Sequence, residues 1–579
     1  MELTPHLVTL ESFGLISLAQ ADPDLEFLFR HALVQDTAYE SMLKADRKLL
    51  HHSVATALES HYANRLAELA PTLAYHFARA ENTEKARGYF ILAGESALSN
   101  YANAEAEKHY RAALDLAPPD NERTELLTRL GDALSNQDMY DEAIQAWVEA
   151  VQIFQSLGDW EGVARMYTRM ARAAGTAHGG DPERGLTLCR EGLVLLKDQP
   201  ESSALAALLH EAGRACFYNG LLDEARSYCQ QAYTLAERLD DQKTQAETLA
   251  TLWGLLPAAS PTEAVEGLNR AARIAETSGY LDTAGRIYHN LGFRLGFEMG
   301  DMGRGSEYIY KAVDIWRKLG SGASQFYSLD VVLIFAILRG NLSEAEDINR
   351  KLYALLNFTG DPAQGAIGLE GWAAWIARCR GEFEGLVERF QALLEGFKRH
   401  QISLDTFANV ECTFAELLLE LGDLSQAAEI AWEAKTLADQ GFMEPVEPNS
   451  LLVAIYVRQG RVTEALQLLT ATKKNAPEPG VLGDIWLWLA EARLAVAEQG
   501  WRDAFAAFEQ AATSLSRYGV RWVHAQTLCE WAEAHLTRNA PGDVDLASEL
   551  FHKSLALFEE MNVPNYADLV RQRLQLLAA

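Results

Sequence analysis

"GLLDEARSYCQQA", Gly220 to Ala232, places a small residue at Ala225, a larger one four positions on at Cys229, and another small one at Ala232. Positions i, i+4 and i+7 share one face of a helix. A small anchor there lets the helix approach a neighbour closely, and the bulkier +4 side chain fills the groove beside it. Gly220, five residues ahead of the anchor, lies where a chain leaving one helix for the next turns left-handed, a conformation that strains other residues. The pattern predicts the second helix of a helical hairpin.

The same pattern recurs in "GNLSEAEDIN" (340–349) and "GDLSQAAEIAWEA" (422–434). Anchors can be placed at Ala106, Ala143, Gly185, Ala225, Ala264, Gly305, Ala345, Leu386, Ala427, Ala465, Ala504 and Ala547, with a mean spacing of about 40 residues. Gly180, Gly220, Gly300, Gly340, Gly381, Gly422, Gly460 and Gly542 stand five residues ahead of an anchor, and Gly500 stands four. Alanine is common in this chain, so one match means nothing. Recurrence at a near-constant period predicts a helix–turn–helix solenoid. That architecture also explains how 579 residues form a structure without splitting into several globular domains, because each unit packs on its neighbours.

The small–large–small signature, as in Ala143, Trp147 and Ala150, and the Leu-Gly of a first helix, as in Leu130–Gly131, resemble the tetratricopeptide repeat (TPR). The period is longer than that family's usual one and is similar to longer-helix variants in large bacterial signalling proteins. The expected fold is all-α: a right-handed α-solenoid of about 12–13 TPR-like hairpins over residues 61–579, after a partial winged-helix-like segment over residues 1–60.

That N-terminal segment reads as a helix-like stretch, an acidic turn "ADPD" (21–24), a short apolar strand "LEFLF" and a helix opening near Arg30. Phe29, His31, Leu33, Tyr39, Arg47 and His51 resemble the junction between winged helix and TPRs in bacterial AAA/STAND-type ATPase regulators, some of them fused to adenylate cyclase domains. The departure is as informative. No GxxxxGK[ST] phosphate loop occurs in the chain, and "GDMGRG" (300–305) lacks both its spacing and its lysine. The resemblance therefore implies a sensor or regulatory arm of a signal-transduction protein without its ATPase or cyclase output domain. A stand-alone scaffold for a multiprotein complex is the alternative, and a transcription-regulator fragment ranks behind both.

Charge narrows the partners. Lys and Arg number 51 against 81 Asp and Glu, a net charge of −30, the wrong sign for binding a phosphate backbone. Six cysteines scattered through helical patterns, with no CxxC pair, read as buried thiols of a cytoplasmic protein. The N-terminus has no signal-peptide order, and apolar runs such as "LLVAIYV" (451–457) are too short to span a bilayer. Nucleic acid and membrane are therefore not expected partners.

No catalytic constellation assembles. His31, Asp36 and Tyr39 look suggestive, but residues five apart lie on different helical faces, so His31 is expected to pack or cap within the joint. His51 and His52 diverge, no HExxH occurs, and the glycines of "AHGGDPERG" (177–185) fall where a turn between helices belongs. A non-enzyme without cofactor or metal is expected. Binding is a different matter. The TPR resemblance implies that first helices line a concave groove through their fifth and ninth positions. Those positions bring His210, Arg214, Trp253, Asn290, Arg294 and Trp375 to its middle, a cationic and aromatic stripe in an acidic protein. Such a groove would suit a protein or peptide partner, or a small signalling ligand, with carboxylates and an apolar anchor.

Overall fold

The computed structural model describes residues 4–20, 26–100, 102–137, 139–175, 181–256, 260–358, 362–400, 404–439, 445–475 and 480–578. Among them are 29 α-helices in a repeated hairpin arrangement and a single two-stranded sheet, so the expected all-α solenoid architecture stands. Every second helix from Asn103–Leu114 to Asp543–Glu560 carries one of the twelve anchors. All twelve are buried, from Ala106 to Ala547.

The turn glycines behave as their spacing implied. Gly220, Gly300, Gly340, Gly381, Gly422, Gly460 and Gly542 all have φ between 72° and 87°. Gly500 is offset by one, and Gln499 takes the left-handed position instead, at φ 59°. Gly180 and the rest of the 176–180 stretch, including the paired glycines of "AHGGDPERG", lie outside the described residues, as does the "ADPD" turn.

The chain divides into two compact units, residues 1–228 and 229–579. The first begins with helix Thr4–Ser12 and an antiparallel hairpin of strands Ile16–Gln20 and Glu26–Phe29, registered Ile16 to Phe29. The second strand matches the apolar run read from sequence. The first, within the stretch read as helix-like, differs because β-branched Ile16 packs inward and pairing with Glu26–Phe29 outweighs weak helical periodicity. Helices Ala32–Glu40 and Lys44–His61 follow. His31 stands at the start of the former but is exposed and makes no capping hydrogen bond, contrary to expectation. Further on, Trp147 packs against Gly131, where an added Cβ would overlap its indole, and donates its Nε1–H to the Thr128 carbonyl at 3.2 Å. That contact is the physical reason for Leu130–Gly131 in a first helix.

Tyr39 finds a partner that spacing did not reveal. Its hydroxyl meets His51 Nε2 at 3.0 Å, and His51 Nδ1 meets His76 Nδ1 of helix Leu66–Arg79 at 2.8 Å. A bond between two imidazole nitrogens needs one donor and one acceptor, so the two rings cannot both be protonated. Burial lowers both pKa values, with Arg79 adding to the effect at His51 and His51 adding to it at His76. Groups depressed below the unfolded value of about 6.5 stabilise the fold above that pH and lose the contribution as pH falls through their folded values. Amide-exchange protection in Leu66–Arg79 should therefore drop between pH 7.5 and 5.5, and His76→Asn should flatten that dependence.

The second unit closes on itself. Arg521 Nε donates to the Arg339 carbonyl at 2.7 Å, and Asn565 Nδ2 donates to the carbonyls of Arg380 and Gly381, both at 3.1 Å. These contacts join segments about 180 residues apart. Three turn glycines serve a second purpose here: Tyr518 covers Gly300, Met561 covers Gly340, and Asn565 covers Gly381 where a Cβ would sit. One apolar core accordingly runs from Met302, Phe335 and Trp372 to Phe508, Trp522 and Phe558.

Candidate functional site

Closure of the second unit turns its concave face into a cavity of about 1460 Å³, lined by the inner helices from Leu281–Phe293 to the last, Pro564–Ala578. Its apolar surface includes Phe293, Phe297, Ile334, Leu338, Trp375 and Trp486. At Arg294–Glu298 the wall passes through a π-helical turn, a distortion that recurs at functional sites.

Most charges of the cavity are already matched within the protein. Arg378, almost fully buried, donates Nη1 to Glu416 at 2.6 Å and Nη2 to Glu420. Tyr566 donates its hydroxyl to Glu420 at 2.9 Å. Arg493 forks onto both oxygens of Glu530 at 2.8 Å each, and Arg294 donates to Glu298 at 2.6 Å and to the Leu256 carbonyl at 2.9 Å. Burial holds the Glu416 carboxyl above the usual range even with Arg378 beside it.

Three residues break this pattern. Glu447 and Ser450, one turn apart in the first part of helix Val446–Arg458, line the cavity, as does Asp484 of helix Gly480–Ala497. Those two helices pack directly on each other. Burial pushes the Glu447 carboxyl up to about 8, and the charged neighbour acting on it is Glu416, of the same sign. Burial likewise raises Asp484. Ser450 is 3% exposed and its Oγ has no hydrogen-bond partner among the described residues.

The residues placed in a groove by sequence divide between the two units. His210 and Arg214 lie in the first, on helix Ser203–Tyr218, where His210 is 1% exposed and Arg214 donates to buried Glu211 at 3.2 Å. Arg172 of the preceding first helix reaches the same carboxylate at 3.0 Å. In the second unit Arg294 and Trp375 both line the cavity. Trp253 instead packs on Gly267, and Asn290 on Gly254, both sites where a Cβ would overlap the side chain.

Sequence reasoning missed a ladder between successive first helices. Arg169 meets Asp132 at 2.8 Å, Arg286 meets Glu247 at 3.5 Å, Trp372 donates to Asp330 at 2.7 Å, and the Arg378 and Arg493 pairs continue the series. Each step spans about one repeat. The signal available was opposite polarity one period apart, and three of its acceptors, Asp132, Asp330 and Glu416, stand at fifth or ninth positions of first helices.

Among the described residues no group of three or more His, Cys, Asp or Glu is placed to hold a metal ion, and no helix is long and apolar enough to cross a membrane.

No family model matches the chain. An uncharacterized protein of Rhizobium meliloti (strain 1021) is 32% identical over 108 residues, 19% of this chain. The match spans 10% of that protein's length. Among solved structures, the Cut9 and Hcn1 hetero-tetramer of the APC/C is similar over 85% of this chain and 91% of its own, with 14% identity and a TM-score of 0.46. Yeast Tom70 is similar over 81% and 99%, with 15% identity and a TM-score of 0.33. A Rap protein complexed with competence and sporulation factor is similar over 73% and 98%, with 14% identity and a TM-score of 0.33.

Proposed function

We propose that the chain is a non-catalytic binding module whose second unit takes a peptide segment into its central cavity, and that it acts as a cytoplasmic sensor arm in bacterial signal transduction. The observation that carries the binding reading is the cavity itself. At about 1460 Å³ it exceeds the roughly 300–1,000 Å³ of sites that hold drug-sized ligands, and it joins aromatic walls to buried polar atoms. The regulatory reading rests on the junction-like segment 1–60. There Phe13, Leu33 and Leu43 are each more than 70% exposed, which fits a surface covered by another module. A ligand controls such a module only if it prefers one conformation, and the contacts at Arg521 and Asn565 that close the second unit are the ones a ligand in the cavity would strengthen.

A random heptapeptide library displayed with free amino termini and selected on the full chain tests the binding reading. Selected peptides should lose at least 100-fold in affinity for Ser450→Trp, which sets an indole into the cavity beside Glu447, while helicity is unchanged. If no peptide is selected, or if the plug leaves binding intact, the reading fails.

A further inference from the structure

We propose that the cavity recognises a protonated amine on its peptide, the amino terminus or a lysine, at Glu447, Ser450 and Asp484, with the peptide's apolar side chains against Trp375 and Trp486. This inference rests on the peptide-binding reading above and adds the sign of the recognised charge.

Most cationic groups of the cavity already have partners within the protein. Arg294, Arg378 and Arg493 are each bound to carboxylates of the protein, and Arg573 meets Glu533 at 3.1 Å. An anionic ligand would have to displace those carboxylates and leave them buried without a cation, which is unfavourable. Glu447 and Asp484 are the reverse case. Of the charged groups on the facing helices, Glu416 of Leu404–Leu421 acts on Glu447. Glu420 of that helix and Asp484 and Arg493 of Gly480–Ala497 line the same cavity, with Glu420 held by Arg378 and Arg493 by Glu530. Arg458, on the same helix, stands three turns away, roughly 16 Å along the axis, and is exposed.

Ser450 supplies the second observation. Among the described residues its Oγ is buried and unpartnered one turn from Glu447. An ammonium has donors for both that hydroxyl and the Glu447 carboxylate, with Asp484 adding negative charge to the same cavity. A buried hydroxyl gains free energy from a hydrogen-bond partner, and a ligand group that bonds to it gains the same. Arg294 Nε, Arg378 Nε and Trp522 Nε1 are also buried, unpartnered and on residues lining the cavity. These are donors, and a peptide backbone provides carbonyls to accept from them. A simple amine does not.

The protonation state gives a separate readout. With its carboxyl at about 8, Glu447 is mostly neutral at pH 7 in the free protein. A bound ammonium favours the ionised form, so binding must release a proton. Affinity should rise from pH 6 toward 8, then level off for a lysine and fall again for an amino terminus, which loses its own proton at about 7.7–8.0.

The peptides selected on the full chain decide the matter. Enrichment of lysine, or a tenfold or greater loss when the consensus peptide's amines are acetylated, is expected. Glu447→Gln should weaken the same peptide at least tenfold. Calorimetry at pH 7 in buffers of different ionisation enthalpy should show close to one proton released by the wild type, and less by Glu447→Gln. Selection of acidic peptides, binding indifferent to acetylation, or no proton release would each overturn the amine while leaving the cavity as a peptide site. Failure to select any peptide that the Ser450→Trp plug blocks would overturn both.

Discussion

Replacing Arg378 with methionine should destabilise the second unit by about 3 kcal/mol and release its last helix. The guanidinium is 4% exposed and serves Glu416 and Glu420, which lie one helical turn apart and retain 28% and 25% exposure to the cavity. Removing one partner of a buried pair leaves uncompensated charge. The residual exposure of the two carboxylates puts the loss at the low end of that class. Glu420 also receives the Tyr566 hydroxyl from helix Pro564–Ala578, so the network holds the closing segment as well as its own repeat. Amide exchange should accordingly accelerate in that last helix before it does in Pro362–Arg380. Because burial raises Glu416, its contribution is present at low pH and lost as pH rises through its folded value. The gap between variant and wild type should therefore narrow on acidification toward pH 4.5. Adding Glu416→Gln and Glu420→Gln should recover most of the loss in calorimetry of the full chain. A variant as stable as wild type at pH 7.5, or no recovery in the triple variant, would contradict this account.

The repeats were legible because each is a local pattern. Ala143, Trp147 and Ala150 announce a face, Gly340 and Gly381 announce turns, and backbone geometry at those positions leaves little choice. The site was legible only in part. Arg294 and Trp375 were picked out from position in the repeat, and both line the cavity. Arg214 and Arg294 nevertheless face carboxylates of the protein rather than solvent. Position within a repeat says which face a side chain occupies, and not whether the next repeat has already neutralised it. Glu447 was legible only as part of a helix start, and Ser450 and Asp484 carried no signal for a site. They matter because Arg521 reaches Arg339 across about 180 residues and encloses them, and no periodicity within a repeat encodes that meeting. His51 and His76 are a smaller case of the same kind, brought together by a helical hairpin 25 residues deep.

The anchors themselves admit the most severe single change. An added Cβ at Gly305 would lie 2.7 Å from the Gly292 carbonyl oxygen and 3.2 Å from the Gly296 nitrogen, and one at Gly185 would lie 2.8 Å from the Gly175 Cα. These are backbone atoms, which cannot turn aside as a side chain can. Gly305→Ala should thus lower stability by about 2 kcal/mol and Gly305→Leu by roughly 3 or more, beyond the usual range for overpacking where side chains can adjust. Gly303, two residues earlier on the same helix, is the internal control, since its added Cβ would meet only Asp301 Oδ1 at 3.8 Å. Gly303→Ala should be neutral or gain a few tenths of a kcal/mol from helix propensity. Repeat stability is set between neighbours, so exchange should rise in Leu281–Phe293 and Met302–Lys318 and fade within a repeat on either side. The displaced helix also bears on the π-helical turn that carries Arg294 into the cavity wall, and Gly305→Ala should therefore weaken selected peptides even at temperatures where the chain stays folded. A Gly305→Ala variant that melts with the wild type would mean that the anchor is small by chance, and that helix separation here is set by the side chains around it.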